Sequence, residues 1–196
     1  MADTTDMLLV RCRLASGDGL AEAARRWCEQ AGTRLQRAAW SSGEQWAYVY
    51  ATPSSPAVPA RAVAELARSW SSLCPAATDT DVSRLRLAQD IAGRSHGETA
   101  VHHYVVETDP EAGWQDELAR WYEQEHMPGL AAVPGCVRAQ RFLNLDAGPA
   151  SHACYGLVTE GTLGSPPWLA VRGTDWSSRV RPHFTNTRRT MMAIAA

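Results

Sequence analysis

Short runs of alternating hydrophobic and polar residues recur along this chain, separated by stretches with a helical repeat. MLLVRCRL (7–14) puts Leu8, Val10, Cys12 and Leu14 on one side of a strand and Arg11 and Arg13 on the other. From Leu20 the spacing becomes i, i+4, i+7, i+8, i+11, carried by Leu20, Ala24, Trp27, Cys28 and Ala31. That is one buried helical face, and Gly32 suits the left-handed turn that ends it. RLQRAAW and QWAYVYA read as strands joined by the turn-prone Ser41-Ser42-Gly43-Glu44. A second helix is predicted from about Pro59, with Val63, Leu66, Trp70 and Leu73 inward, and VSRLRLAQDI closes the series as a strand.

The series then starts again. HHYVVET, a helix over 114–126, CVRAQRFLNL, HACYGLVTE, a helix within 166–181 and FTNTRRTMMAIA follow in the same order. Pro166-Pro167 and Gly173 weaken the pattern of the last helix. RWCEQ (26–30) returns as RWYEQ (120–124), 94 positions later, and Trp114, Leu118, Trp121, Tyr122 and Glu125 occupy the stripe positions. Trp70-Ser71-Ser72 matches Trp176-Ser177-Ser178, and Tyr48 matches Tyr155. Four matches in one order predict a unit present twice, residues 1–96 and 97–196, joined near Ala92–Ala100.

A βαββαβ unit is the ferredoxin-like split motif, and its sheet carries helices on one face only. The other face is apolar and open until a second sheet covers it, which a tandem copy does. The predicted fold class is therefore α+β: two tandem ferredoxin-like βαββαβ units forming an intramolecular α+β barrel. A monomer with this internal pseudo-dimer completes the barrel, and a homodimer is compatible but not required.

Composition narrows the function classes. The 196 residues carry a formal net charge of -2, with no basic patch or tail, so no nucleic acid or anionic membrane surface is expected as a partner. Every fixed side-chain cation is arginine, which excludes Schiff-base chemistry on lysine. The five cysteines are scattered and never paired as C-x-x-C; they read as thiols of a reducing compartment and not as a zinc site. MADTTDMLLV lacks the pattern of an export signal, and no apolar run approaches the ~20 residues of a membrane span. A cytoplasmic protein without bound metal or cofactor is expected.

Chemistry concentrates after the second RWxEQ. The run W-Y-x-x-E-H-x-P-x-L…V-P-G…R-F is carried by Trp121, Tyr122, Glu125, His126, Pro128, Leu130, Val133, Pro134, Gly135, Arg141 and Phe142. It resembles the dimeric α+β-barrel superfamily, most of all its EthD-like and related branches. That resemblance implies a small-molecule cavity between sheet and helices. Relatives include cofactor-free monooxygenases, lactone isomerases, polyketide cyclases, aldoxime dehydratases and haem-dependent enzymes, so the fold chooses no reaction. Some relatives ligate haem through histidine, a role that no histidine here can be assigned from the sequence.

Pro128 disfavours helical geometry at Met127, so the helix is predicted to end at about His126. The helix dipole, Glu123 and Glu125 would then favour the imidazolium form. Two readings stay open: His126 caps a helix, or it donates a proton or contacts an oxyanion at the mouth of the cavity. The first unit runs Ala31-Gly32-Thr33 straight into its strand without a histidine, so a plain glycine cap suffices there. Only the second unit carries an elaborated exit. Tyr122, Tyr155 and Arg141 are candidates for placing a substrate. Tyr155 and Tyr48 either line the barrel with inward hydroxyls or are core aromatics. Arg141, on a strand face with Val137, Ala139 and Leu143, either pairs with an acid or anchors a substrate carboxylate. His103 shares a face with Val105 and Glu107, as a His–carboxylate site or as a surface pair. His152 and His183 read as solvated. The reading is a small-molecule-binding barrel, either a cofactor-independent enzyme on an apolar aromatic or polyketide-like compound, or a non-catalytic binding or stress-response protein.

Overall fold

The strands form where the alternation places them, because each presents one apolar side to helices. The computed structural model describes residues 4–195. Residues 1–3 and 196, which hold the outer limits of the two expected units and the start of MADTTDMLLV, lie outside the described residues.

The chain divides into two compact units. The first comprises residues 4–86, 144–148 and 192–195. In it β1 (Met7–Arg13) pairs antiparallel with β3 (Trp46–Pro53) and with β4 (Thr78–Ala92), and β3 pairs with β2 (Thr33–Trp40). Leu8, Val10 and Cys12 of β1 and Ala47, Val49 and Ala51 of β3 face α1 (Leu20–Ala31) and α2 (Val63–Leu73). Trp27 and Trp70, both fully buried, meet edge to face between those helices at 6.1 Å. Gly32 takes φ 62° and its N–H caps the carbonyls of Cys28 and Glu29, ending α1 as the sequence predicts.

The second unit comprises residues 87–143 and 149–191. β5 (His102–Pro110) pairs antiparallel with β7 (Ser151–Leu157), and β7 with β6 (Cys136–Asn144). Tyr104, Ala139, Ala153, Tyr155 and Leu157 line the helix side of this sheet against Leu118, Trp121 and Trp168. After α3 (Gln115–Trp121) and α4 (Met127–Ala131), the helix expected within 166–181 is two helices, α5 (Pro166–Arg172) and α6 (Asp175–Val180). Gly173 breaks the run, and Thr174 restarts it by accepting the Ser177 N–H at 3.1 Å as an N-cap.

β8 (Phe184–Ile194) completes the set, and the hydrogen-bonded strand order β1-β3-β2-β8-β5-β7-β6-β4 closes on itself. The order fourth-first-third-second thus occurs in both halves of the chain. This is an α+β fold with an eight-stranded antiparallel barrel built from two ferredoxin-like units. Among the described residues no helix is long and apolar enough to cross a membrane.

Candidate functional site

The helix expected to stop at His126 does not stop. α3 (Gln115–Trp121) passes into one π-helical turn, Tyr122–His126, and then into α4 (Met127–Ala131). Met127 stays helical, at φ -66° and ψ -47°, although Pro128 follows it. The wider turn lets the Met127 N–H reach the carbonyl of Tyr122, five residues back. Pro128 has no N–H to give to the carbonyl of Glu123, five residues before it, and Gln89 Nε2 donates there instead at 3.1 Å.

That extra residue in the turn carries His126 inward, to 8% exposure. Its ring stacks on Trp121, with centroids 4.0 Å apart at 23°, and meets the edge of Tyr122 at 5.7 Å. The expected imidazolium is overturned. Burial, followed by the charges of Arg181 and Arg172, pushes the pKa of His126 down to about 3, so the ring is neutral at pH 7. Nor does Glu125 serve it: that carboxylate accepts the Thr174 hydroxyl at 2.6 Å and so ties the π turn to the N-cap of α6. Nδ1 of His126 is buried with no hydrogen-bond partner among the described residues.

His126 lines a cavity of about 30 Å³ together with Trp121, Tyr122, Tyr155 and Trp168. Nε1 of Trp168 is a second buried polar atom there without a partner among the described residues. Tyr155 donates its hydroxyl to Met127 Sδ at 3.2 Å and stacks with Tyr104 at 6.1 Å. Burial pushes the phenols of Tyr104, Tyr122 and Tyr155 up, so all three stay protonated at neutral pH. Toward solvent the wall is cationic: Arg172 and Arg181 are half-buried and Arg189 is exposed. Among the described residues no carboxylate lines this cavity. Burial and the neighbouring Arg172 and Arg189 push the pKa of Arg181 down.

Such a space holds about two water molecules. It has no room for a porphyrin, so the residues around His126 do not fit haem in this arrangement. Among the described residues no three His, Cys, Asp or Glu side chains group as metal ligands.

Of the residues singled out in the sequence, His126, Tyr122 and Tyr155 come together in this cavity. Arg141 does not line it. The arginine is 7% exposed, its guanidinium carbon lies 4.7 Å from the centre of the Tyr122 ring, and Nε donates to Ser151 Oγ at 3.1 Å. A bulge between Cys136 and Arg138 puts Cys136, not Val137, on the helix side with Ala139.

His103 is fully buried on the other face of the sheet, as is Glu107, so the surface pair is overturned. His152, expected in solvent, is 1% exposed with Nδ1 3.9 Å from Glu107 Oε1, and Arg188 lies 3.7 Å from Oε2 of that carboxylate. His183 is half-buried, stacked on Trp114 at 3.4 Å and paired with Glu111 at 2.6 Å. Tyr48 and Tyr155 do not correspond. Tyr155 faces its helices, whereas Val49 and Ala47 beside Tyr48 do so in the first unit. Trp168, Arg172, Arg181 and Arg189 were missed because they come from α5, the turn after α6 and β8, with no shared periodicity.

No protein-family model matches the sequence, and no curated protein matches it. Solved structures do match. A "putative monooxygenase" from Lactobacillus acidophilus NCFM has a TM-score of 0.65 at 10% identity, covering 98% of this chain and 95% of that one. An anthrone oxidase-like protein has a TM-score of 0.59 at 10% identity, covering 97% and 91%. A mutant chlorite dismutase from Candidatus Nitrospira defluvii, in complex with cyanide, has a TM-score of 0.63 at 7% identity, covering 98% and 92%. At such identities these likenesses show the fold, the α+β barrel that this chain shares with them.

Proposed function

We propose that this protein is a small-molecule-binding α+β barrel that works as a cofactor-independent proton-transfer enzyme, of the monooxygenase, cyclase or isomerase type. In this reading residues 1–96 and 97–196 are two copies of one unit in an EthD-like branch. The substrate is an apolar aromatic or polyketide-like compound with an acidic C–H or O–H. The observation that supports it is a neutral His126 whose Nδ1 has no partner, in an aromatic cavity with three arginines and no carboxylate.

The chemistry follows from that charge pattern. A neutral imidazole accepts a proton, and arginines stabilise the anion left behind. Before reaction, Arg172 and Arg181 oppose an imidazolium. Once the substrate has become an anion beside them, that opposition is offset, so base strength rises as the proton moves. Return of the proton to another substrate atom is an isomerisation, and attack of the anion on a carbonyl of the same molecule is a cyclisation. The protonated tyrosines Tyr104, Tyr122 and Tyr155 orient oxygen atoms by donating to them.

The second reading is a non-catalytic binding protein, and in either reading a ligand must first part the arginines and ring walls around a cavity of about 30 Å³. Hydrogen–deuterium exchange separates the two. Wild-type protein should accelerate exchange at the acidic C–H of an aromatic 1,3-diketone such as benzoylacetone in D2O, and His126→Gln should not. Equal exchange with both proteins and with buffer removes the catalytic reading and leaves the binding one.

A further inference from the structure

We propose that Arg141 marks a second ligand site in the same unit, a pocket for an aryl or short acyl carboxylate. The proposal goes beyond the His126 site and shares with it only the ring of Tyr122.

The pocket is about 240 Å³, and its apolar wall comes from Pro110, Leu118, Ala119 and Leu143. Its buried polar wall is Arg141, 7% exposed, and Ser151, 2% exposed. A guanidinium carries five N–H donors, and only Nε is spent on a side chain, at Ser151 Oγ. Among the described residues no carboxylate lies within ion-pair distance of Arg141. The guanidinium carbon lies over the Tyr122 ring, a contact that takes up none of the N–H donors as a conventional hydrogen bond. Burial of a cation without a direct ion pair is unfavourable: burial pushes the pKa of Arg141 down, and Tyr122, Tyr155 and the more distant Glu123 carboxylate offset that only in part.

The chemistry of the missing partner is set by these groups. Planar edge donors on arginine match the two oxygens of a carboxylate. Ser151 Oγ accepts from Nε, so its own O–H remains able to donate to the same anion. The apolar wall then takes a hydrocarbon body. A fully hydrated anion such as sulfate would gain from the arginine but not from Leu118, Leu143 and Pro110. An uncharged aromatic would gain from the wall and leave the arginine unpaired. An apolar acid satisfies both.

The test uses 3-phenylpropionate as probe and 3-phenylpropan-1-ol as its uncharged counterpart, with binding to the full chain followed by calorimetry and ligand-observed NMR. The acid should bind at least about tenfold more tightly than the alcohol, since a charge-assisted bidentate contact is what the alcohol lacks. Arg141→Lys keeps the charge but loses the fork, and should weaken the acid about tenfold. Ser151→Ala should weaken it less. Ala119→Leu fills the pocket without touching Arg141, so it should abolish binding even where Arg141→Lys fails to fold. His126→Gln should leave the affinity for the acid unchanged, which separates this site from the proposed catalytic one. Equal affinity for acid and alcohol, binding that survives Ala119→Leu, loss of binding in His126→Gln, or no binding of the acid to wild-type protein each overturns the proposal.

Discussion

Trp121 and His126 are five residues apart on one helical segment, yet their rings stack with centroids 4.0 Å apart. On a regular α-helix two such positions point about 140° apart and cannot touch. The π turn at Tyr122–His126 removes that angle by adding a residue to the turn. Trp121 is also fixed from the other side, where its Nε1 donates to Ser177 Oγ at 3.2 Å in α6. The π turn brings His126 onto Trp121, and α6 holds Trp121 in place for it.

Trp121→Ala should be costly. Trp121 is fully buried and touches His126, Tyr122 and Phe184. The expected loss is about 3–5 kcal/mol in urea unfolding, the range for truncating a buried large aromatic. Trp121→Phe should retain more stability but lose the donor to Ser177 Oγ, whose hydroxyl still donates to the Val171 carbonyl at 2.9 Å. A near-neutral Trp121→Ala would mean that the π turn does not depend on this packing.

Gly135 and Gly164 make a matched pair. Both have positive φ, 90° and 84°, so alanine strains the backbone at either by about 1–3 kcal/mol. Only at Gly135 would the new Cβ also collide, 2.3 Å from Thr162 Oγ1, whereas at Gly164 nothing lies within 4 Å. Gly135→Ala should lower the melting temperature clearly more than Gly164→Ala. Equal shifts would show that Thr162 yields freely.

The sequence made the elements legible because each half-buried strand and helix has one period. Leu8, Val10 and Cys12 on β1 and the RWxEQ helices are where that period put them. Two kinds of feature escaped it. The proline rule predicts a stop at His126, but a π turn satisfies the same steric demand without one, and nothing local to Glu123–Pro128 announces Gln89, 34 residues earlier in sequence, as the missing donor. His103, Glu107 and His152 read as a wet face because polar alternation normally means solvent; in a closed barrel both faces of a strand are buried. Of the candidate cavity's lining, His126, Tyr122 and Tyr155 stood out in the sequence, while its cationic side was assembled by tertiary structure alone.

Arg181→Gln should raise the pKa of His126. After burial, the Arg181 charge is the next largest cause of its depression, ahead of Arg172. Removing one positive neighbour makes the imidazolium less unfavourable, so the His126 ring signals in NMR should titrate at higher pH in the variant than in wild-type protein. Arg179→Gln, which removes a partner of the half-buried Glu117 instead, should leave the His126 titration where it was. A His126 pKa unmoved by Arg181→Gln would mean that the Arg181 charge is not felt at the ring, leaving burial and Arg172 as the causes.

Acid should destabilise the wild-type protein through His126 over a definable window. The unfolded ring titrates near 6.5 and the folded one at about 3, so between those values the unfolded chain holds one more proton. Stability therefore rises with pH in that window, by up to about 1.4 kcal/mol per pH unit from this group. The contribution is complete above about 6.5, is lost as pH falls, and levels off below about 3. Other groups titrate in the same range, Glu117 among them, its carboxyl held below the usual range by Arg179 and Trp176. They are common to wild-type protein and His126→Gln, so the difference in unfolding free energy between the two cancels them. Measured by urea at pH 7, 5.5 and 4.5, that difference should shift in favour of the variant at each step down. A difference that stays flat from pH 7 to 4.5 would mean that His126 is not held neutral in the folded protein, and the base assigned to the cavity would go with it.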